Sequence, residues 1–132
     1  MRILLDTHVI IWLAYAPGKV AEPTRERISD PASTIYISPV SIWEMTIKCG
    51  IGKLDLGSDV ASFARSSYQA LAALDLPLAL DHFRHLAELP LHHHDPFDRL
   101  LFAQARSEKL FLATADSAFD AYGDAGVTML RC

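Results

Sequence analysis

The chain has 132 residues and a mass of 14.6 kDa, which is the size of one ordinary domain and leaves no room for two. Hydrophobic residues make up 51% and charged residues 21%, so the composition is globular and excludes a disordered chain. Twelve Lys and Arg against 16 Asp and Glu give a net charge of −4, which excludes binding nucleic acid by bulk positive charge, though not an enzyme that meets nucleic acid through metal ions.

In chain order, residues 2–5 read as a short buried strand that stops at Asp6. Residues 9–15 read as a helix, with Thr7 as a candidate cap. Pro23 suits the first turn of a second helix running to about Ser29. Residues 34–37 are β-branched and aromatic, hence a strand. Ser38-Pro39 then supplies an N-cap and a first-turn proline for a helix that ends near Gly50 and Gly52. Ser58-Asp59 starts a helix whose Val60, Phe63, Ala64, Leu71 and Leu74 fall at helical spacing. A short strand is expected over 74–78, and Asp81 is expected to cap a helix over 82–89. Asp95-Pro96 opens a helix to about Lys109. A strand over 110–113, a short helix over 117–122 and a last strand over 127–130 complete the chain. Apolar strands separated by helices predict a three-layer α/β/α sandwich on a parallel sheet, with chemistry beyond the carboxyl ends of the strands.

Other features set the setting. Cys49 and Cys132 have neither C-x-x-C spacing nor a zinc pattern, so they read as reduced thiols of a cytoplasmic protein. The amino terminus meets Asp6 too early for a signal peptide, and the apolar run 9–16 is far short of the roughly 20 residues that span a bilayer. There is no Gly-rich phosphate loop and no G-x-S-x-G. His92, His93 and His94 are consecutive, cannot all face one ion, and read as a polar loop. His8 lies next to the strand-end site, where it could touch substrate. Trp12, Trp43 and Tyr68 lie on helical stripes and read as core or interface.

The acids carry the chemistry. Asp6 ends the first strand, Glu44 lies two turns into the helix after the second, Asp95 and Asp98 open the helix before the fourth, and Asp116 follows the fourth. Each has a plain alternative. Asp6, Asp95 and Asp116 are placed to cap helices, and Asp98 favours a helix dipole. Glu44 completes a Ser41-x-x-Glu44 capping box and can pair with Lys48 one turn on. Arg99 is assigned to structure, bridging Asp95 or Asp98. Two carboxylates about 4 Å apart repel by roughly 4 kcal/mol at an effective dielectric near 20. A group of four therefore needs a cation to stay ionised at neutral pH, and oxygen ligands select Mg²⁺ or Mn²⁺. Without Asp6, Glu44, Asp98 and Asp116 the remaining 12 acids equal the 12 Lys and Arg, so an occupied site need not repel RNA. A receiver-like signalling module also uses strand-end acids with Mg²⁺. Here, however, no acceptor Asp closes the middle strand, and Lys109 precedes its strand rather than following it.

Four segments together resemble one family. They are Asp6-Thr7-His8 with Trp12; Ser38-Pro39-Val40-Ser41-Ile42-Trp43-Glu44 with Lys48 and Gly52-Lys53-Leu54; His93-His94-Asp95-Pro96-Phe97-Asp98-Arg99-Leu100-Leu101; and Leu112-Ala113-Thr114-Ala115-Asp116. Over nearly the whole chain, in this order, they are similar to the PIN-domain family, and within it to the VapC-type toxin ribonucleases of type II toxin–antitoxin modules. The resemblance implies a five-stranded parallel sheet and an Mg²⁺- or Mn²⁺-dependent endoribonuclease. It maps the acidic site onto Asp6, Glu44, Asp98 and Asp116, with Thr114 as a supporting hydroxyl and Asp95 in the same motif. His94 stands where related sequences often carry Arg. Asp6 is expected as the central metal ligand, Asp98 and Asp116 as further ligands, and Glu44 as holder of a metal-bound water or as base. The resemblance also implies a homodimer and a small antitoxin protein as partner. An inhibitory Arg is expected among the four acids, with a disordered tail in a groove near Trp12, Tyr15, the Pro17-Gly18 turn and the helix of Pro23. A housekeeping or inactive PIN-like RNA-binding protein is the nearest alternative.

Overall fold

The computed structural model describes residues 1–91, 95–122 and 125–132. Its five strands are β1 (Arg2–Leu5), β2 (Thr34–Ile37), β3 (Leu74–Asp75), β4 (Phe111–Thr114) and β5 (Met129–Arg131). All are parallel, in the order β3-β2-β1-β4-β5. Six α-helices connect them: α1 (Thr7–Tyr15), α2 (Glu22–Ser29), α3 (Pro39–Gly50), α4 (Val60–Leu71), α5 (Leu80–Glu88) and α6 (Pro96–Glu108). Short 3-10 helices cover Pro17–Lys19 and Ser117–Tyr122. The three-layer α/β/α arrangement expected from the sequence is the one observed.

Both faces of the sheet are apolar because strand side chains alternate. Leu4 of β1 and Leu112 of β4 join Leu101 and Phe102 of α6 and Phe119 on one side. Ile3 and Leu5 join Val9, Ile37, Met45 and Phe63 on the other. Each of these side chains is at most 5% exposed, so a helix layer seals each face.

The differences from the sequence reading lie at element ends. The cap of α1 is Asp6, not Thr7, because the Asp6 carboxylate accepts from the Thr7 N–H. Strand β3 is only two residues long. Leu76 still donates to the Ile37 carbonyl at 3.0 Å, but Pro77 has no N–H to continue the ladder. Helix α5 starts at Leu80 rather than His82. Its cap is Ala79, whose N–H donates to His82 Nδ1 at 3.1 Å, and Asp81 falls inside the first turn. Strand β4 starts one residue late. Lys109 takes a left-handed conformation (φ 57°) and the Leu110 N–H turns back to the Ala105 carbonyl. Ser38 and Asp95 cap α3 and α6 as expected. Trp43 is not core: it is 57% exposed and meets Phe97 edge-on at 4.9 Å. Among the described residues no helix is long and apolar enough to cross a membrane.

Candidate functional site: a buried acid cluster

The sheet changes direction between β1 and β4, since the chain winds outward from β1 through β2 to β3 on one side and through β4 to β5 on the other. Ligand sites of open parallel sheets lie at that switch point, beyond the carboxyl ends of the strands. Asp6 and Thr114 end the two central strands there. The Asp6 N–H donates to the Ala113 carbonyl at 3.0 Å, which ties the two strand ends together.

Asp6 is 2% exposed and both of its oxygens are held. Oδ1 accepts from the Thr7 N–H at 2.7 Å and Oδ2 from the Thr114 hydroxyl at 2.7 Å. Burial pushes its pKa up, the Thr114 and Thr7 hydrogen bonds and His8 pull it down, and Glu44 adds a further push up. Thr114 also accepts from the Asp116 N–H at 3.0 Å, so one hydroxyl spaces both acids of this edge. Asp116 in turn accepts from the Ala118 N–H and so starts the short helix after β4.

Glu44 is also 2% exposed. Its Oε1 accepts from the Thr7 hydroxyl at 2.7 Å, and its Oε2 takes the Lys48 ammonium at 2.5 Å. The pairing with Lys48 is the one its helical spacing allowed. The capping-box alternative is set aside, because Ser38 is the cap of α3. Asp98 is buried in the first turn of α6, and its pKa is pushed up to about 9. Burial is the main cause, followed by the charges of Asp6 and Asp95, a hydrogen bond shared with Asp116, and the charge of Glu44. Asp95 accepts from the N–H groups of Phe97 and Asp98 and is therefore a helix cap at the margin of the cluster. Arg99 donates to the carbonyls of Leu86 and Leu89, fastening α6 to the end of α5.

All six sequence-selected residues, Asp6, Glu44, Asp95, Asp98, Thr114 and Asp116, thus belong to one connected group. Among the described residues no three His, Cys, Asp or Glu side chains stand ready to close on a metal ion as they are. A cleft of about 260 Å³ opens beside the acids, lined by Asp6, His8, Trp12, Ala115 and Asp116. His8 therefore sits where the sequence placed it. His92, His93 and His94 lie outside the described residues. The sequence reading missed Thr7, whose N–H holds Asp6 while its hydroxyl holds Glu44. The signal was present, because the residue after a strand-end acid starts the helix and faces back into the site.

The model of the PIN domain matches residues 3–125. The chain belongs to the PIN-domain family. No curated protein matches it in sequence. Solved structures share the PIN fold. The VapBC2 complex of Rickettsia felis, bound to a DNA fragment from its promoter, superposes with a TM-score of 0.75 at 14% identity, over 99% of this chain and 98% of that one. VapBC-5 of Mycobacterium tuberculosis, from the VapBC family of toxin–antitoxin systems, gives 0.63 at 22% identity over 99% and 98%. A toxin–antitoxin complex from Klebsiella pneumoniae gives 0.61 at 19% identity over 96% and 95%.

Proposed function

We propose that this PIN domain is a divalent-metal-dependent endoribonuclease and the toxin of a toxin–antitoxin pair. The observation that carries the reading is the gathering of Asp6, Glu44, Asp98 and Asp116 beyond the strand ends at the switch point of the sheet, where burial and the neighbouring acids push Asp98 up to about 9. PIN domains are generally nucleases, and structures of like fold come from toxin–antitoxin complexes. Oxygen donors alone suit Mg²⁺ or Mn²⁺, and grouped carboxylates fit a divalent cation. Asp6, Asp98 and Asp116 would hold the ion, with Glu44 completing the acid set. When bound, such an ion neutralises charge on the phosphate and makes water a better nucleophile.

The chain's own residues would do the rest. The strand end, the Thr7 N–H and the Thr114 hydroxyl fix Asp6 in one orientation. Glu44, held by the Thr7 hydroxyl and Lys48, would orient the attacking water or take its proton, leaving 5′-phosphate and 3′-hydroxyl ends. His8 at the mouth of the cleft would touch the substrate. Incubating a fluorescent RNA and the matching DNA with wild type and with Asp6→Asn, each with and without Mg²⁺, tests this directly. The expected result is Mg²⁺-dependent cleavage of RNA by wild type only. Equal cleavage by Asp6→Asn contradicts the site.

The reading brings two protein partners. Trp43 and Ile47 of α3 and Ile51 just past its end leave an apolar stripe, 57%, 39% and 61% exposed, that suits a second copy of the chain. A small antitoxin would place an Arg among the acids, since its planar fork meets carboxylates bidentately. Its apolar tail would lie along α1, where Tyr15 is 60% exposed and a cleft of about 360 Å³ runs from Leu13 to Phe63. A partner recovered from the native host should bind wild type less tightly as Mg²⁺ rises. Equal binding to a variant with Asp6, Glu44, Asp98 and Asp116 all neutralised overturns the Arg contact.

A further inference from the structure

The cleft beside the acids is walled by rings as well as carboxylates. Its lining is Asp6, His8, Trp12, Ala115 and Asp116. His8 and Trp12 are one helical turn apart on α1 and therefore share a face. Their ring centroids lie 6.1 Å apart and the planes cross at 51°. Rings of the core behave differently: Phe102 stacks on Phe119 at 5.7 Å and 16°, and on Tyr122 at 4.7 Å and 28°. His8 is exposed and Trp12 half-buried, so the tilted pair keeps ring surface on the cleft instead of spending it on each other. Trp12 also packs against the apolar layer that holds Val9 and Phe63, which fixes its ring as a platform. Lys19, in the short 3-10 helix after α1, stands over that ring with Nζ 5.8 Å from the centroid. A positive charge thus lies beside a cleft that carries two carboxylates.

We propose that this cleft is a nucleobase subsite: one unstacked base of single-stranded RNA lies against His8 and Trp12, and Lys19 meets a phosphate of the same strand. The inference deepens the ribonuclease reading above and rests on it for the class of ligand. Size, chemistry and position each favour this occupant. At about 260 Å³ the cleft is smaller than the roughly 300 Å³ at which pockets for drug-sized ligands begin, so it takes one ring system and not a folded segment. Stacking on Trp or His is how proteins hold the bases of single strands, and it tolerates any sequence because every base has a π-face. A base inside a duplex keeps its faces against its neighbours, so the subsite selects unpaired RNA. Asp6 and Asp116 belong both to the cleft and to the acid group, which puts the base next to the phosphodiester to be cut. An apolar side chain of a protein partner could fill the same space, but it would leave the lysine over the ring unanswered, whereas a nucleotide brings ring and anion together.

Binding of the full chain in chelator and low salt, where no metal takes part and no RNA is cut, tests this by fluorescence polarisation. The labelled probes are a short single-stranded RNA, the same strand in a duplex, and a ribose–phosphate strand without bases. Wild type should bind the single strand about 5- to 150-fold more tightly than the baseless strand, the range that one stacked base supplies, and more tightly than the duplex. Trp12→Leu keeps apolar bulk but loses the ring, so it should lose that margin, whereas Trp12→Phe should keep most of it. Lys19→Gln should weaken the single and baseless strands alike and lower the salt slope by about 0.7, the value of one phosphate contact on a single strand. Circular dichroism confirms folding, and His8→Ala removes the other ring if Trp12→Leu does not fold. No binding of the single strand by wild type, equal binding of single and baseless strands, or an unchanged margin in folded Trp12→Leu overturns the inference; Mg²⁺-dependent cleavage by the same protein then leaves the nuclease reading intact. A Trp12→Leu variant that loses only the protein partner recovered from the host assigns the ring to that partner and also overturns the subsite. Base-dependent binding by a wild type that cuts no RNA overturns the nuclease reading alone.

Discussion

Ser38, Gln104 and His82, with the half-exposed Glu108, form one polar group between α3, α5 and α6, and Asp6, Glu44, Asp98 and Asp116 form another at the strand ends. In the first, each donor meets an acceptor. Ser38 caps α3 and donates to Gln104, and Gln104 Nε2 donates to the Leu76 carbonyl at 3.2 Å. His82 is 1% exposed; its Nδ1 accepts from Ala79, which leaves Nε2 to donate to Glu108 at 2.8 Å. In the second, burial and mutual repulsion raise the pKa of Asp6 and Asp98. The first group is satisfied from within and holds layers together. The second gathers buried carboxylates from four segments at one edge of the sheet and raises the pKa of two of them, which is the expected signature of a functional site.

Loss of function separates the two groups most strongly. Asp6→Asn and Asp98→Asn should each lower Mg²⁺-dependent RNA cleavage by at least about 100-fold, since even outer-shell changes at metal sites cost 10- to 100-fold. Both should raise the melting temperature of the metal-free protein near neutral pH, Asp6→Asn because it removes a carboxylate that burial and Glu44 disfavour, and Asp98→Asn because it removes the cost of keeping a proton that the unfolded chain releases. Gln104→Leu should do the reverse. It leaves Ser38 and the Leu76 carbonyl without their partner and should cost about 1–3 kcal/mol of stability. Its Mn²⁺ affinity should match wild type, and urea unfolding with a parallel metal titration checks both halves.

The pH dependence of metal-free stability is a smaller effect with a definite sign. Asp98 moves from an ordinary 3.8 to about 9 on folding. Between those values the folded protein keeps a proton that the unfolded chain has released, so stability falls as pH rises through that window. Melting temperatures of the metal-free protein should therefore decline from pH 5 to pH 8, and Asp98→Asn should flatten the decline. The smallest effect is at Asp95. Asparagine caps a helix about as well as aspartate, so Asp95→Asn should change stability by no more than about 0.5 kcal/mol. It should also impair Mn²⁺ binding far less than Asp98→Asn. Equal losses in the two variants, measured by calorimetry, remove the distinction between cap and ligand.

The sequence showed element types well and element ends less well. The apolar run in 2–5 and the β-branched and aromatic residues of 34–37 made the buried parallel sheet legible, and Ser38-Pro39 and Asp95-Pro96 marked two helix starts. Caps that use backbone or reversed side-chain bonds, such as Ala79 with His82, carry no simple signal. In the site, position relative to strand ends picked out Asp6 and Asp116, because a strand end is a fixed platform, whereas Thr114 came from the family resemblance. Tertiary pairing was harder to see. Thr7 to Glu44 spans 37 positions and Thr114 to Asp6 spans 108, so only the fold reveals which acid each hydroxyl serves. Lys48 was legible only as a helical neighbour of Glu44, and its charge over Asp95 and Asp98 needed the α3–α6 contact.

The central claim is that the acid cluster is completed by a divalent cation. Thermal melting at pH 8, with and without millimolar Mn²⁺, tests it most directly in wild type and Asp98→Asn. At 100 times its dissociation constant a bound ion adds about 2.7 kcal/mol, or roughly 10 °C for a domain of this size. Wild type should show that rise and Asp98→Asn should show little of it. An equal rise in both proteins, or none in wild type, contradicts the account.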